Sequence, residues 1–413
     1  MNHRSRPYPQ GYLAIRPWFY AISMPHPYDS LEMAAIKGPH SVKWSLYGEE
    51  VLPLWVADMD FPVCAEVVQA VAARLSKRIG YPQGAGDPEL LEAILAQQEA
   101  MGLKGLGREN LWLTTSVVPG IYASVLGLTS VGDEVITQVP VYPPFLNALS
   151  DYHRITRASP MAIGPSGRWE IDFDHLESLV SPATRMLLLC NPQNPTGRVF
   201  TRGELQRLAE FALRHRLWVM VDELWAGLVY EGEHIPFASI SPEVAQRTVT
   251  LTGPCKAFNT AGLGGGVAIS HNPEILARMQ KATRGVMGHP NVAAMAAWTA
   301  ALQHGQAWLE DTRNYLRANR DFLGEFLHTK LPEVKYIPPQ ATYLAWLDFR
   351  ALEIEDTHRF LLEKAKVALN EGSTFGTNFK GFLRLNFATS RGVLQEALER
   401  IERALRARGT MLA

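Results

Sequence analysis

At 413 residues with 47% hydrophobic side chains, the chain is long enough for two or three domains with sizeable cores. Lys and Arg number 40 against 41 Asp and Glu, a net charge of -1, which gives no basis for binding nucleic acid or an anionic membrane. Three cysteines (Cys64, Cys190, Cys255) without metal-site spacing, no apolar run near the ~20 residues of a membrane span and no signal-peptide core point to a soluble, cytoplasmic, metal-free enzyme.

Residues 1 to about 27 are rich in Pro, Tyr and Arg and lack periodicity, so they are expected to form an extension, with Tyr8, Tyr12, Trp18, Phe19 and Tyr20 packing on the core. An extended segment over Val51 to Val56 leads into Ala57-Asp58-Met59-Asp60. Apolar spacing predicts a helix from Glu66 to Ser76, and Asp87-Pro88 caps another from Glu89 to Met101. Strand and helix then alternate. Asn110 to Thr115 is strand-like, Pro119 opens a helix to Leu128, and Asp133 to Thr137 is strand-like again. Val139 to Phe145 is a loop that feeds a helix. Met186 to Cys190 is a short apolar strand followed by the loop Asn191-Pro-Gln-Asn-Pro-Thr-Gly197. Thr201 and Glu204 form a capping box for a helix to His215, and Trp218 to Val221 is a buried strand ending at Asp222-Glu223. Thr248 to Ser270 places two apolar strands on either side of a turn carrying Lys256.

This alternation means an α/β fold with a mostly parallel sheet and helices on both faces. Ligands of such sheets sit beyond the carboxyl ends of the strands, so Ser116, Asn194, Asp222 and Lys256 are expected to converge. After Pro290 the texture changes to long helices (Ala293 to His304, Trp308 to Leu331), a strand over Thr342 to Leu347 and a helix from Thr357 to Ala368. The strand Phe382-Leu-Arg-Leu-Asn-Phe387 and a helix from Gly392 to Arg408 follow. These make a smaller α+β domain. The expected division is an extension over 1–29, a small domain from 30–59 with 291–413, and a large domain over 60–290.

Burial of Lys256 between strands would disfavour its ammonium form and suit it to bond an aldehyde cofactor as an imine. Asp222 can hold a ring nitrogen protonated, and Ser116-Val117-Val118 lies at a strand-to-helix turn where free N–H groups favour an anion. Tyr142, restrained by prolines, can stack on a ring. Arg384, among Phe382, Leu383 and Leu385, can bind a carboxylate or form a structural ion pair.

The series Asn191 to Gly197, Asp222-Glu223, Lys256-Ala-Phe-Asn-Thr-Ala-Gly-Leu263 and Arg384 resembles the fold-type-I pyridoxal-phosphate (PLP) enzymes, the aspartate-aminotransferase superfamily. Leu54 to Phe61, Gly80-Tyr81, Val141 to Phe145, Ala341 to Trp346 and Arg384-Leu-Asn-Phe are similar to the MalY/PatB-type carbon–sulfur β-lyases, over about residues 30 to 408. The resemblance implies that Lys256 bonds the cofactor and moves the α-proton. It implies that Asp222 binds the pyridine nitrogen, Asn194 the ring hydroxyl, and Val117 and Val118 the phosphate, while Tyr142 stacks on the ring. It further implies that Arg384 takes the substrate carboxylate beside Asn194 and Tyr142, and that Tyr81 serves the neighbouring subunit of a homodimer.

Four positions depart from the pattern. Trp225 replaces a His or Tyr and can donate but not accept a hydrogen bond. Gly253 replaces a phosphate-binding Ser, with Thr252 beside it as a substitute, Gly264 replaces an Arg, and Ser116 stands where Gly is frequent. The expected reaction is β-elimination from an S-substituted cysteine to thiol, pyruvate and ammonia. Transamination or decarboxylating, oxidative deamination of an amino acid is the alternative on the same scaffold. A regulatory protein that kept the scaffold without turnover is a third reading.

Overall fold

The computed structural model describes residues 26–31, 36–37, 41–83 and 86–412. The aromatic arm (Tyr8, Tyr12, Trp18, Phe19, Tyr20) lies outside them.

Seven short apolar runs form one sheet: β1 (Leu111–Thr114), β2 (Glu134–Val139), β3 (Ile155–Pro160), β4 (Thr184–Cys190), β5 (Trp218–Asp222), β6 (Thr248–Thr252) and β7 (Gly266–Ile269). Their order is β1-β7-β6-β5-β4-β2-β3. The run from β6 to β3 is parallel, and β7 is antiparallel to both β1 and β6. Strands covered on both faces bury every side chain, which is why Met186 to Cys190 and Val219 to Asp222 are buried without alternation. Around the sheet lie α1 (Ala65–Leu75), α2 (Pro88–Ala100), α3 (Val117–Leu128), α4 (Pro143–Asp151) and α5 (Arg202–Arg214). The expected caps form: Asp87 accepts from Glu89 N at 3.0 Å, and Thr201 and Glu204 close a reciprocal box on α5.

The later part of the chain builds α6 (Val292–His304), the long α7 (Gln306–Lys330) and an antiparallel sheet. That sheet comprises β8 (Lys335–Tyr336), β9 (Leu344–Asp348), β10 (Asn370–Glu371) and β11 (Phe382–Asn386), in the order β8-β9-β11-β10. Helix α8 (Arg391–Leu412) follows. Among the described residues no helix is long and apolar enough to cross a membrane.

Three expectations change. Helix α3 starts at Val117, two residues before Pro119, which sits in the first turn where its missing N–H leaves no bond unmade. The helix expected to run from Thr357 to Ala368 ends early. Lys366 adopts φ 57°, and Val367–Ala368 pair in parallel with Leu52–Pro53, the only part of the expected extended segment that is strand. β3 and the hairpin of Ala162–Ile163 with Trp169–Glu170 are additional to the elements expected from sequence. β3 is an edge strand, and three of its six side chains are exposed, so it gives no apolar run to detect.

Candidate active site

The carboxyl ends of β4, β5 and β6 lie side by side, with Cys190 paired in register with Asp222. The Asn191–Gly197 loop is tied to this edge. Asn191 N donates to the Asp222 carbonyl at 3.0 Å, and the Gln193 side chain donates to the Pro140 carbonyl. Gly197 has φ 68°, and a Cβ there would lie 2.1 Å from Pro339 Cβ, so only glycine lets the two segments meet.

Asp222 is buried, and among the described residues its carboxylate is bonded only by the Leu224 N–H at 3.0 Å. Burial pushes its pKa up to about 7 against the pull of that N–H and of Lys256. With no cation among the described residues bonded to it, it is a carboxylate placed to meet one. Lys256 follows β6 in a turn, half-buried rather than sealed between strands as expected. Its Nζ donates to the Ala57 carbonyl at 2.6 Å and lies 5.8 Å from the Trp225 ring centroid.

Arg384 is buried on β11. Its Nη1 donates to Asn194 Oδ1 at 3.1 Å, and its Nη2 to the Trp55 carbonyl at 3.0 Å and Asn370 Oδ1 at 3.2 Å. Its Nε is buried without a partner, and desolvation lowers its pKa to about 10. Among the described residues no carboxylate pairs with it, so the structural ion pair considered from sequence does not form. An unmatched guanidinium of this kind is suited to a carboxylate brought in by a ligand.

At the other end, Ser116 is the N-cap of α3 in extended geometry, and its side chain makes no capping bond. The N–H groups of Val117 and Val118 therefore open the helix without a side-chain partner. The glycine run packs against this turn. A Cβ on Gly266 would lie 2.7 Å from the Ser116 carbonyl carbon, and one on Gly264, at φ 76°, 2.7 Å from the Thr115 oxygen. A side chain at either position would collide with the backbone that shapes the turn. The Gly264 departure is thus a feature of a close backbone approach.

Tyr142 is half-buried at the start of α4, its phenol raised by burial and opposed by Arg384. Trp225 is buried with its ring edge-on to Tyr343, centroids 4.8 Å apart. Thr252 ends β6 half-buried. Tyr81 does not join this cluster within the chain and is fully exposed.

Four residues had no assigned role from sequence. Asn259 Nδ2 donates to the carbonyls of Met59 and Phe61, and Asn386 Nδ2 to those of Val56 and Asp58. Asn370 bonds Arg384, and the buried Tyr343 hydroxyl donates to the Ala57 carbonyl at 3.1 Å. Asn259, Asn386 and Tyr343 stood inside quoted motifs, so position was a signal, but their partners are distant backbone groups. The profile for aminotransferase class I and II matches residues 49–401.

The chain belongs to the aminotransferase class I and II family. Within this family, cystathionine beta-lyase PatB of Bacillus subtilis is 36% identical over 382 residues, covering 89% of this chain and 97% of that protein. Protein MalY of Escherichia coli is 32% identical over 365 residues, covering 87% and 92%. The structure of cystalysin from Treponema denticola, described as containing a pyridoxal 5'-phosphate cofactor, superposes with a TM-score of 0.85 at 32% identity, covering 89% and 96%. The fold is that of the PLP fold-type-I, aminotransferase-like proteins of the family.

Proposed function

We propose that the chain is a pyridoxal 5'-phosphate-dependent carbon–sulfur β-lyase that converts an S-substituted cysteine to a thiol, pyruvate and ammonia. The observation that carries this reading is a set of unmatched groups around one strand edge. An amine (Lys256) held by a backbone carbonyl, a buried carboxylate (Asp222) and a guanidinium (Arg384) with no ion-pair partner among the described residues, and a helix start without a capping side chain are the groups that this cofactor and an amino acid would complete. The similarity to PatB and MalY supports the choice of reaction.

In this reading Val117 and Val118 donate N–H groups to the phosphate, with the Thr252 hydroxyl beside them. Asp222 would pair with the protonated ring nitrogen, Tyr142 would stack on the ring, and the buried Trp225 would line the site. The Asn194 oxygen accepts from Arg384, which leaves its amide N–H groups to donate to the ring hydroxyl. Bound here, the cofactor supplies an electron sink for charge developing at the substrate α-carbon. Arg384 would hold the α-carboxylate with the N–H groups not committed to Asn194, Trp55 and Asn370, and thereby orient the α-hydrogen. Lys256 Nζ, the amine that would hold the cofactor aldehyde, is also the base that would take the α-proton. The Cβ–S bond then breaks with its electron pair on sulfur, and the thiolate takes up a proton. The remaining three-carbon enamine adds one water and yields pyruvate and ammonium.

The separate antiparallel sheet supports reading 30–59 with 291–413 as a small domain and 60–290 as the large one. Full exposure of Tyr81 supports its reach into a second copy of the chain. Three free thiols support a reducing, cytoplasmic setting. The test is an S-alkyl cysteine given to the purified, cofactor-loaded protein. Free thiol and pyruvate in equal amounts without an added keto acid are expected. Consumption of the amino acid only when a keto acid is supplied would replace this reading with transamination.

A further inference from the structure

The segment Leu54–Phe61 crosses the site with its carbonyls held nearly one by one. Leu54 O accepts from Asn386 N at 2.9 Å and Trp55 O from Arg384 Nη2 at 3.0 Å. Val56 O and Asp58 O each accept from Asn386 Nδ2 at 2.7 Å, while Met59 O and Phe61 O accept from Asn259 Nδ2 at 3.2 and 2.8 Å. Ala57 O has two donors, Lys256 Nζ at 2.6 Å and the Tyr343 hydroxyl at 3.1 Å. Among these donors, Lys256 must leave its carbonyl and return to it during the chemistry proposed above.

Tyr343 is built to stay. It is buried, and desolvation holds its phenol well above the usual range, so it remains a proton donor. Its ring meets the edge of Trp225, toward whose face Lys256 points. The residue before it, Thr342, takes φ 72°, a left-handed conformation that is unfavourable for a β-branched side chain. Neighbours impose it: Thr342 N donates to Leu228 O at 3.0 Å, Leu344 N donates to Thr342 Oγ1 at 3.1 Å, and Phe387 N donates to Tyr343 O at 3.0 Å. Backbone strain over-determined in this way collects at working sites, and here it directly precedes the side chain that reaches Ala57.

We infer that Tyr343 is a positioning residue, whose hydroxyl fixes the Ala57 carbonyl as the seat of the Lys256 amine whenever that amine is not bonded to the cofactor. The carbonyl oxygen has two lone pairs. One is held permanently by Tyr343, so the acceptor does not drift when the lysine leaves. The amine therefore returns to one point in each turnover, within a fixed geometry toward the α-hydrogen. This assignment rests on the lyase reading, but the seat itself can be tested without it.

Tyr343→Phe keeps the ring against Trp225 and removes the bond. In the cofactor-loaded enzyme, kcat is expected to fall about tenfold, the weight of one buried hydrogen bond, with KM within about twofold. The isotope effect from an α-deuterated substrate should rise, while the resting visible absorbance and Tm stay unchanged. In the cofactor-free full-length chain, limited reductive methylation read by mass spectrometry should label Lys256 about threefold faster in the variant, normalised to the exposed Lys104. In the unaltered chain Lys256 should label about tenfold more slowly than Lys104, because its amine is engaged. Equal labelling of Lys256 and Lys104 in the unaltered chain overturns the seat, whether or not the variant folds. Unchanged kcat and labelling in the variant, or a kcat loss accompanied by a proportional shift in KM or Tm, overturns the positioning role. If the unaltered protein acquires no visible absorbance with the cofactor, the lyase reading fails and the labelling arms still decide the seat.

Discussion

Asp222 is a pH-sensitive residue in the cofactor-free chain because burial raises its folded pKa from the ordinary 3.8 to about 7. Between those values the folded state binds more protons than the unfolded one, so stability falls as pH rises. The contribution is intact below about pH 4 and is lost as pH climbs through about 7. Asp222→Asn should remove this part of the decline in the cofactor-free protein, measured by urea unfolding at pH 5 and pH 8. In the loaded enzyme the same change should lower kcat about hundredfold, because a neutral amide cannot stabilise a ring cation. Arg384→Lys should lower kcat/KM about hundredfold, since one ammonium cannot reproduce a planar two-bond grip. Steady-state kinetics over a substrate series would show it, and a loss under threefold would remove Arg384 from the substrate site. These residues were legible because each is a charge beside an apolar strand. Asn259, Asn386, Asn370 and Tyr343 were not, because most of their bonds go to backbone or side-chain groups brought near only by the fold.

At the scale of elements, β4, β5 and β6 were readable from sequence because strands buried on both faces are continuous apolar runs. The edge strand β3 escaped because its exposed positions dilute that signal. The helix over Thr357 to Ala368 was overextended because helical spacing does not reveal the turn at Lys366 or the pairing of Val367 with Leu52. In the sequence Gly264 is only a departure from an Arg, and the structure gives the run Gly264 to Gly266 at the start of β7 a further meaning. Gly266→Ala would place a methyl group 2.7 Å from both the Ser116 carbonyl carbon and Thr114 Oγ1. It should cost roughly 1–3 kcal/mol of stability and weaken cofactor retention together, because the displaced turn opens α3. Thermal unfolding and cofactor dialysis check the pair. A drop in Tm with unchanged retention would separate the turn from the phosphate.

For the molecule as a whole, the short helix Val42–Ser45 is tied to the segment over the site by a buried ion pair, Lys43 to Asp60 at 2.9 Å, with Trp44 Nε1 donating to Asp60 Oδ1 at 2.8 Å. This link between residues near the chain start and the strap over the site was invisible in composition, which averages charge over the chain. The exposed Tyr81 belongs to the same scale. If it completes a neighbour's site, mixing inactive Lys256→Ala chains with impaired Tyr81→Ala chains should restore up to about a quarter of normal turnover, because half the pairs carry one intact site of two. No gain over the separate variants would place Tyr81 outside the neighbour's site. The catalytic expectations depend on one covalent link, between Lys256 and the cofactor aldehyde. Borohydride reduction of the loaded protein, followed by proteolysis and mass spectrometry, should place the reduced cofactor on the peptide carrying Lys256 and on no other. An unlabelled Lys256 peptide, or a label on a different lysine, would contradict the account.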